Sequence, residues 1–206
     1  APQLPGVADA ARVAAGTYVV DSRHTQVNWQ VNHFGFNDYF GLFGDIKGTL
    51  QIDPANPAAA KVDVTIPISS VATSSQGLTD HLKTADFFDV AKYESARFVS
   101  TSVVVDGQKA VIKGDLTMLG VTKPVELETR FEGAGNNPMN KKATIGFHAA
   151  TTLKRSEWGM TKYVPMVGDD VKLRISVAFE KEGLSAEIGH RNIAARIMML
   201  RLRQQL

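Results

Sequence analysis

A chain of 206 residues with 44% hydrophobic content can bury one sizeable core, and single β-barrels or sandwiches reach this length undivided. It contains no cysteine, which excludes a disulfide framework and thiolate metal sites. The net charge is +2, and Arg191, Arg196, Arg201 and Arg203 against Glu187 place positive charge in residues 183–206. The rest of the chain is nearly neutral, which argues against nucleic-acid binding by that body.

Residues 1–16 are rich in Ala and Pro and read as a flexible lead-in. The start Ala1-Pro2-Gln3 suits an exported protein whose signal peptide has been removed. No apolar stretch approaches the ~18 residues that a membrane-spanning helix needs. From Thr17 the sequence alternates with a period of two, the mark of strands with one buried face. Val27, Trp29, Val31 and His33 share one face, against Gln26, Asn28, Gln30 and Asn32 on the other.

HFGFNDYFGLFG (33–44) follows, with five aromatic rings among Gly35, Gly41 and Gly44. Because it joins two alternating strands, its rings are expected to turn inward at one end of a barrel. Ile46, Leu50 and Ile52 continue the alternation, as do KVDVTIPI (61–68), ARFVSTSVVVD (96–106), the segments 110–119 and 121–132, KATIGFHAATTL (142–153) and VKLRISVAFE (171–180). The count is about eight to nine strands, a common size for one closed sheet. Asp53-Pro54, Asp106-Gly107, Gly120, Gly133–Pro138 and Gly168-Asp169-Asp170 supply the turns between them. Successive antiparallel strands of this kind need a barrel or a sandwich.

Two segments depart from the strand pattern. GLTDHLKTADFF (77–88) places Leu78, Leu82 and Ala85 on one narrow helical stripe, which predicts a short helix lying across the sheet or capping an open end. The tail 182–206 looks helical, with Ile193, Ile197 and Leu200 in register between its arginines. It is read as a docking helix for a partner or second subunit, as an anionic-membrane anchor, or as an appendage. A homodimer or peripheral membrane contact through 183–206 stays open on this reading.

Candidate chemistry is sparse. Asp21, His24 and His33 invite a metal, but neither HxH nor HExxH occurs, and no metal is assigned. The preferred reading gives Asp21 and His24 a mutual hydrogen bond at a strand start, and gives His33 the role of satisfying buried backbone groups. His81 is expected to hydrogen-bond the helix to the barrel. GxSxG, a P-loop and GxGxxG are all absent. In LKRSEWGMTKY (153–163), charged residues meet Trp158 and Met160. That knot is either a looped strand end with an Arg155–Glu157 pair or a pocket mouth where Arg155 orients a polar head with Trp158 stacked on it.

YVVDSRHTQVNWQVNHFGF, GLFGDIKGTLQID, DHLKTADFFDVAKYESARFVST, GDLTMLGVTKPVELE and LKRSEWGM followed by VGDDVKLRISVAFE, in this order and spacing, resemble the YceI family of lipocalin-like polyisoprenoid-binding proteins. The resemblance covers residues 17–181. Tyr93 is followed by Glu94 where the family usually carries a proline, a departure that concerns local turn geometry. What the resemblance implies is an eight-stranded antiparallel barrel that holds an isoprenoid or similar long-chain amphiphile, often in the periplasm. On this reading there is no enzyme and no cofactor, and a bound isoprenoid or isoprenoid quinone is the ligand.

The patterning itself nominates Trp29, Val31, His33, Phe34, Phe36, Phe40, Phe43, Leu82, Phe87, Phe88, Met118, Phe147, Arg155, Trp158 and Met160 as ligand-binding residues. His33 and Arg155 are placed near an opening. Two other readings compete: an enzyme acting on a small lipid or quinone through Asp21, His24 and His33, and a stress or interaction module with a solid barrel and a partner-binding tail. Periodicity alone leaves open whether eight strands enclose packed side chains or a hollow.

Overall fold

The computed structural model describes residues 3–183, so the expected C-terminal helix lies outside the described residues. Ten strand segments form one antiparallel sheet in the order β1-β4-β5-β6-β7-β8-β9-β10-β2-β3, with β1 also paired to β10. They are β1 (Gly16–Val20), β2 (Gln26–His33), β3 (Asn37–Phe43), β4 (Lys47–Ile52), β5 (Lys61–Pro67), β6 (Ser95–Asp106), β7 (Lys109–Met118), β8 (Val121–Asn136), β9 (Ala143–Lys154) and β10 (Val167–Lys181). The pairing of β1 with both β4 and β10 closes a ring of eight. This is the eight-stranded antiparallel barrel expected from the sequence.

The extra two segments arise because two long strands are each interrupted. β1 and β2 both lie along β10, which meets β1 through Phe179–Lys181 and β2 through Val167–Ser176. At the break, His24 Nδ1 lies 2.6 Å from Asp21 Oδ2, the local hydrogen bond foreseen for that pair. The chain bends again between β3 and β4, where Ser22 Oγ donates to the Ile46 carbonyl at 2.5 Å.

The two ends of the barrel differ as a result. At the β1–β4 end the ring is closed and solid: Tyr18, Leu50, Ala134, Ile145 and Phe179 are buried together. At the other end β3 pairs with β2 on one side, while its other edge carries an isolated bridge, Leu42 to Ala72. The segment between β5 and β6 fills that gap. It contains α1 (Gln76–Leu82), whose N-cap Ser75 accepts from the Leu78 N–H.

The helix ends earlier than the sequence pattern suggests. Thr84 turns its hydroxyl back to the His81 carbonyl, and Phe88 N–H donates to the Leu82 carbonyl. Asp89 then adopts a left-handed φ of 45°. On a continued helix Phe87 and Phe88 would point about 100° apart; the turn instead brings both toward the barrel interior, packed with Leu82, Phe43 and Trp29.

Candidate functional site

The partly open end holds a cavity of about 620 Å³. Its walls come from β2 and β3 (Val27, Trp29, Val31, Tyr39, Phe43), from β5, β6 and β7 (Ile66, Ala96, Leu116, Met118) and from β9 and β10 (Leu153, Val171, Leu173). The segment containing α1 contributes Ile68, Leu78, Leu82, Phe87 and Phe88. Polar side chains among the lining residues are few: His33, Asn37, His81 and Tyr163 accompany Phe34 at the mouth, and Tyr39 and Arg155 complete the set. Among the described residues, no serine, cysteine or carboxylate belongs to the lining.

A glycine-dependent contact shapes the interior. Trp29 pairs across the ladder with Gly41, and a Cβ at Gly41 would lie 2.0 Å from Trp29 Cζ2. The indole therefore rests directly on the β3 backbone, where any larger residue would displace it. Its Nε1–H is buried with no acceptor among the described residues. Leaving such a donor unpaired costs on the order of 1–3 kcal/mol.

Arg155, only 4% exposed, follows β9 in a short 3-10 turn. Its Nε donates to Gly168 O at 2.8 Å, Nη1 to Met160 O at 2.9 Å, and Nη2 to Lys162 O at 2.9 Å and Val167 O at 2.8 Å. Burial pulls the guanidinium below its ordinary pKa, and the nearby Asp169 carboxylate opposes that shift. The side chain thus gathers the carbonyls of the loop that forms one lip of the mouth. It makes no pair with Glu157 among its hydrogen bonds, and four of its five N–H groups serve backbone carbonyls. The expectation that it orients a polar head group yields to this structural role.

Opposite that loop, His81 Nε2 lies 2.9 Å from Asp86 Oδ2, and Lys162 Nζ lies 3.6 Å from Asp86 Oδ1. An ionised carboxylate can only accept, so Nε2 carries the proton. The bond from His81 holds the Asp86 carboxyl below its ordinary pKa, with Lys162 assisting. Asp86 therefore ties the segment after α1 to the Arg155 loop. The expected helix-to-barrel bond of His81 runs instead to this neighbouring turn.

Of the residues nominated from sequence, Trp29, Val31, His33, Phe34, Phe43, Leu82, Phe87, Phe88, Met118, Arg155 and Met160 surround the cavity. Four lie elsewhere. Phe40 is 64% exposed because the period of two sends Tyr39, Gly41 and Phe43 inward and Phe40 outward. Phe36, 87% exposed, sits just past the hairpin turn, where Phe36 N–H donates to the His33 carbonyl. Phe147 faces inward in the solid half, with its ring 5.9 Å from Phe131 and 6.3 Å from Phe179. Trp158, 2% exposed, donates Nε1–H to the Leu116 carbonyl at 3.1 Å and packs with Phe98, Val125 and Leu153 instead of stacking on Arg155.

His33 is exposed at the rim, with its ring edge-on to Phe34 at 4.5 Å, and so does not serve buried backbone groups. Asp21 and His24 stand at the far end of β2 from His33, roughly 20 Å or more away at about 3.3 Å per residue. The three do not converge, which removes the basis for the enzyme reading built on them. Among the described residues no group of three or more His, Cys, Asp or Glu is placed to hold a metal ion. The solid-barrel alternative holds for the β1–β4 half alone.

A closed antiparallel barrel with an apolar chamber at one end defines the lipocalin-like class of architecture. Within that class, the YceI-like domain profile matches residues 18–179. The chain is 41% identical over 170 residues to protein YceI of Escherichia coli, covering 82% of this chain and 88% of that one. It belongs to the YceI family. Among solved structures, the Campylobacter jejuni YceI protein superposes with a TM-score of 0.65 at 30% identity, over 74% of this chain and 90% of that one. A polyisoprenoid binding domain from Saccharophagus degradans shares the fold with a TM-score of 0.63 at 12% identity, over 80% of this chain and 98% of that one.

Proposed function

We propose that the protein binds a long-chain apolar amphiphile, an isoprenoid, isoprenoid quinone or similar lipid, inside the barrel for carriage, storage or sequestration. The observation that carries this reading is the cavity: about 620 Å³, walled by aliphatic and aromatic side chains, with polar groups gathered mainly at its mouth. That distribution suits a tail inside and a head near His33, Asn37, His81 and Tyr163. Moving each methylene from water into such a site is worth about 0.8 kcal/mol, so about ten give about 8 kcal/mol before the entropy of association. Ligands of this size commonly occupy pockets of about 300–1,000 Å³.

Further support comes from membership in the YceI family and from the shared fold with a domain described as polyisoprenoid binding. A role in binding and not in catalysis agrees with walls that offer no serine, cysteine or carboxylate. A periplasmic location accords with this function, since a shielded carrier is useful where a lipid must cross water. Fractionation of the native host, with the protein tracked by antibody, tests that location. The test of binding is organic extraction of protein purified without detergent, followed by mass spectrometry. A reproducible, near-stoichiometric apolar molecule is expected. Repeated extracts with none, from protein that also takes up no added prenyl alcohol, contradict the reading.

A further inference from the structure

The chain between β5 and β6 is hydrogen-bonded to itself far more than to the barrel. Its two ends are tied down: Ala72 and Leu42 exchange both backbone bonds, and Ile68 N–H donates to the Glu94 carbonyl. Between these ties the bonds stay within the segment. Thr79 Oγ1 accepts from the Thr73 N–H, Gln76 Nε2 donates to Asp80 Oδ1, and Val90 N–H donates to the Lys83 carbonyl. Among the described residues, polar contacts join 73–93 to the rest of the chain at two places. Tyr39 Oη lies 3.4 Å from Ser74 Oγ, and Lys162 Nζ lies 3.6 Å from Asp86 Oδ1.

Apolar contact supplies the remaining hold. Leu78, Leu82, Phe87 and Phe88 line the chamber, and Phe88 sets its ring edge-on to Phe43 of β3 at 5.3 Å. Leu42 uses its outer backbone groups on Ala72. Phe40, two residues along, presents its own N–H and C=O to the same edge and has no backbone partner there among the described residues. An unpaired strand edge beside a self-bonded unit makes a seam. Parting it breaks no backbone ladder on either side, so it leaves no buried N–H or C=O unsatisfied.

We propose that residues 73–93 form a lid, hinged at Ala72 and Glu94, that swings away from β3 and from the loop 159–166 to admit a lipid and then closes over it. This inference rests on the lipid-binding reading and adds the route by which the chamber is filled. The lid brings four apolar side chains to the wall. Contact with a hydrocarbon chain is therefore complete only when the lid is shut, and a bound chain favours the closed form.

The chain has no cysteine, so two can be introduced and linked selectively. Asp86→Cys and Lys162→Cys, at positions outside the cavity lining, are joined by a short bis-maleimide that ties the lid to the loop opposite. Stopped-flow fluorescence then follows a prenyl alcohol of four isoprene units, labelled with an anthraniloyl group, as it enters and leaves the full chain. The linked protein is expected to bind and release it at least about ten-fold more slowly than the unlinked double variant, with an affinity within about two-fold. Asp86→Asn, which weakens the tie to Lys162, is expected to raise both rates about three-fold; it carries the test if the double variant does not fold or link. Equal rates with and without the link, or wild-type rates in Asp86→Asn, overturn the inference and leave the lipid-binding reading intact. A wild type that takes up no labelled alcohol displaceable by the unlabelled one overturns both.

Discussion

Trp29 lies face down on Gly41, so close that one added methyl group on the glycine would stand 2.0 Å from the indole. The pair lies in register between β2 and β3 and forms part of one cavity wall. Gly41→Ala must therefore displace the indole or spread the strands. Overpacking of this kind costs about 1–3 kcal/mol. Denaturant unfolding should show that loss, together with a shifted tryptophan emission, and binding of a four-unit prenyl alcohol should weaken. An unchanged midpoint and spectrum would mean that the indole is not held against the glycine.

Arg155 should behave as a structural anchor. A lysine cannot replace it, because one ammonium with three donors cannot reach four carbonyls spread over the loop from Met160 to Gly168. Arg155→Lys is expected to destabilise by about 3 kcal/mol, given about 1–3 kcal/mol for each strongly hydrogen-bonded group left unpaired. Hydrogen exchange should increase first in the loop 159–168. Loss of ligand affinity with stability and exchange unaltered would instead make Arg155 a direct head-group contact.

Phe34 sits in a left-handed conformation, φ 54°, followed by Gly35 at φ 72°. Two consecutive positive φ values make a primed hairpin turn, a place that favours Asn or Gly over a bulky ring. Keeping phenylalanine there costs on the order of 1–2 kcal/mol, although its ring reaches the cavity mouth. Phe34→Asn is expected to raise stability by up to about 1 kcal/mol while weakening uptake of a prenyl alcohol. A variant that unfolds more readily than the wild type would contradict this account of the turn.

The latch across the mouth should respond to acid. Asp86 has a folded pKa below its ordinary value, so its ion-pair contribution is fully present above the unfolded carboxyl range, near pH 4. It is lost as pH falls through the depressed folded value, which releases the Asp86 contacts to His81 and Lys162. Hydrogen exchange in segments 83–90 and 159–166 should rise over that interval. The same rise should be present already at neutral pH in Asp86→Asn. A variant whose exchange at neutral pH matches the wild type would show that the contacts do not hold the lip.

Much of this was legible because one physical rule governs most of the chain. Alternation identified the face of Val27, Trp29, Val31 and His33, and these four do line one wall together. The same rule, applied strictly, excludes Phe40, since Tyr39, Gly41 and Phe43 occupy the inward parity on β3. Aromatic density outweighed parity in that expectation. Val171, Leu173 and Leu116 could likewise have been found by counting in steps of two from residues already on an inward face.

Other features depend on tertiary context that no local pattern encodes. Phe147 has the right parity, but its level along the barrel places it in the solid half beside Phe131 and Phe179. Arg155 reads from sequence as a free charge at a loop, and only the fold brings four carbonyls around it. Phe87 and Phe88 reach the interior because the chain turns after Leu82, where Thr84 Oγ1 donates to the His81 carbonyl and Phe88 N–H to the Leu82 carbonyl. The buried ring of Phe98 packs over Gly114, a residue of another strand whose importance is its missing side chain.

The claim that a lipid chain occupies this chamber is tested most directly by photo-crosslinking. A prenyl alcohol of four isoprene units carrying a diazirine at its tail end would be bound to the protein, irradiated and mapped by peptide mass spectrometry. The account predicts crosslinks to inward residues of the cavity wall, among them Ala96, Leu116 and Leu173, and their loss when excess unlabelled alcohol competes. Crosslinks confined to the outward Phe36 and Phe40, or none that an unlabelled competitor removes, would contradict it.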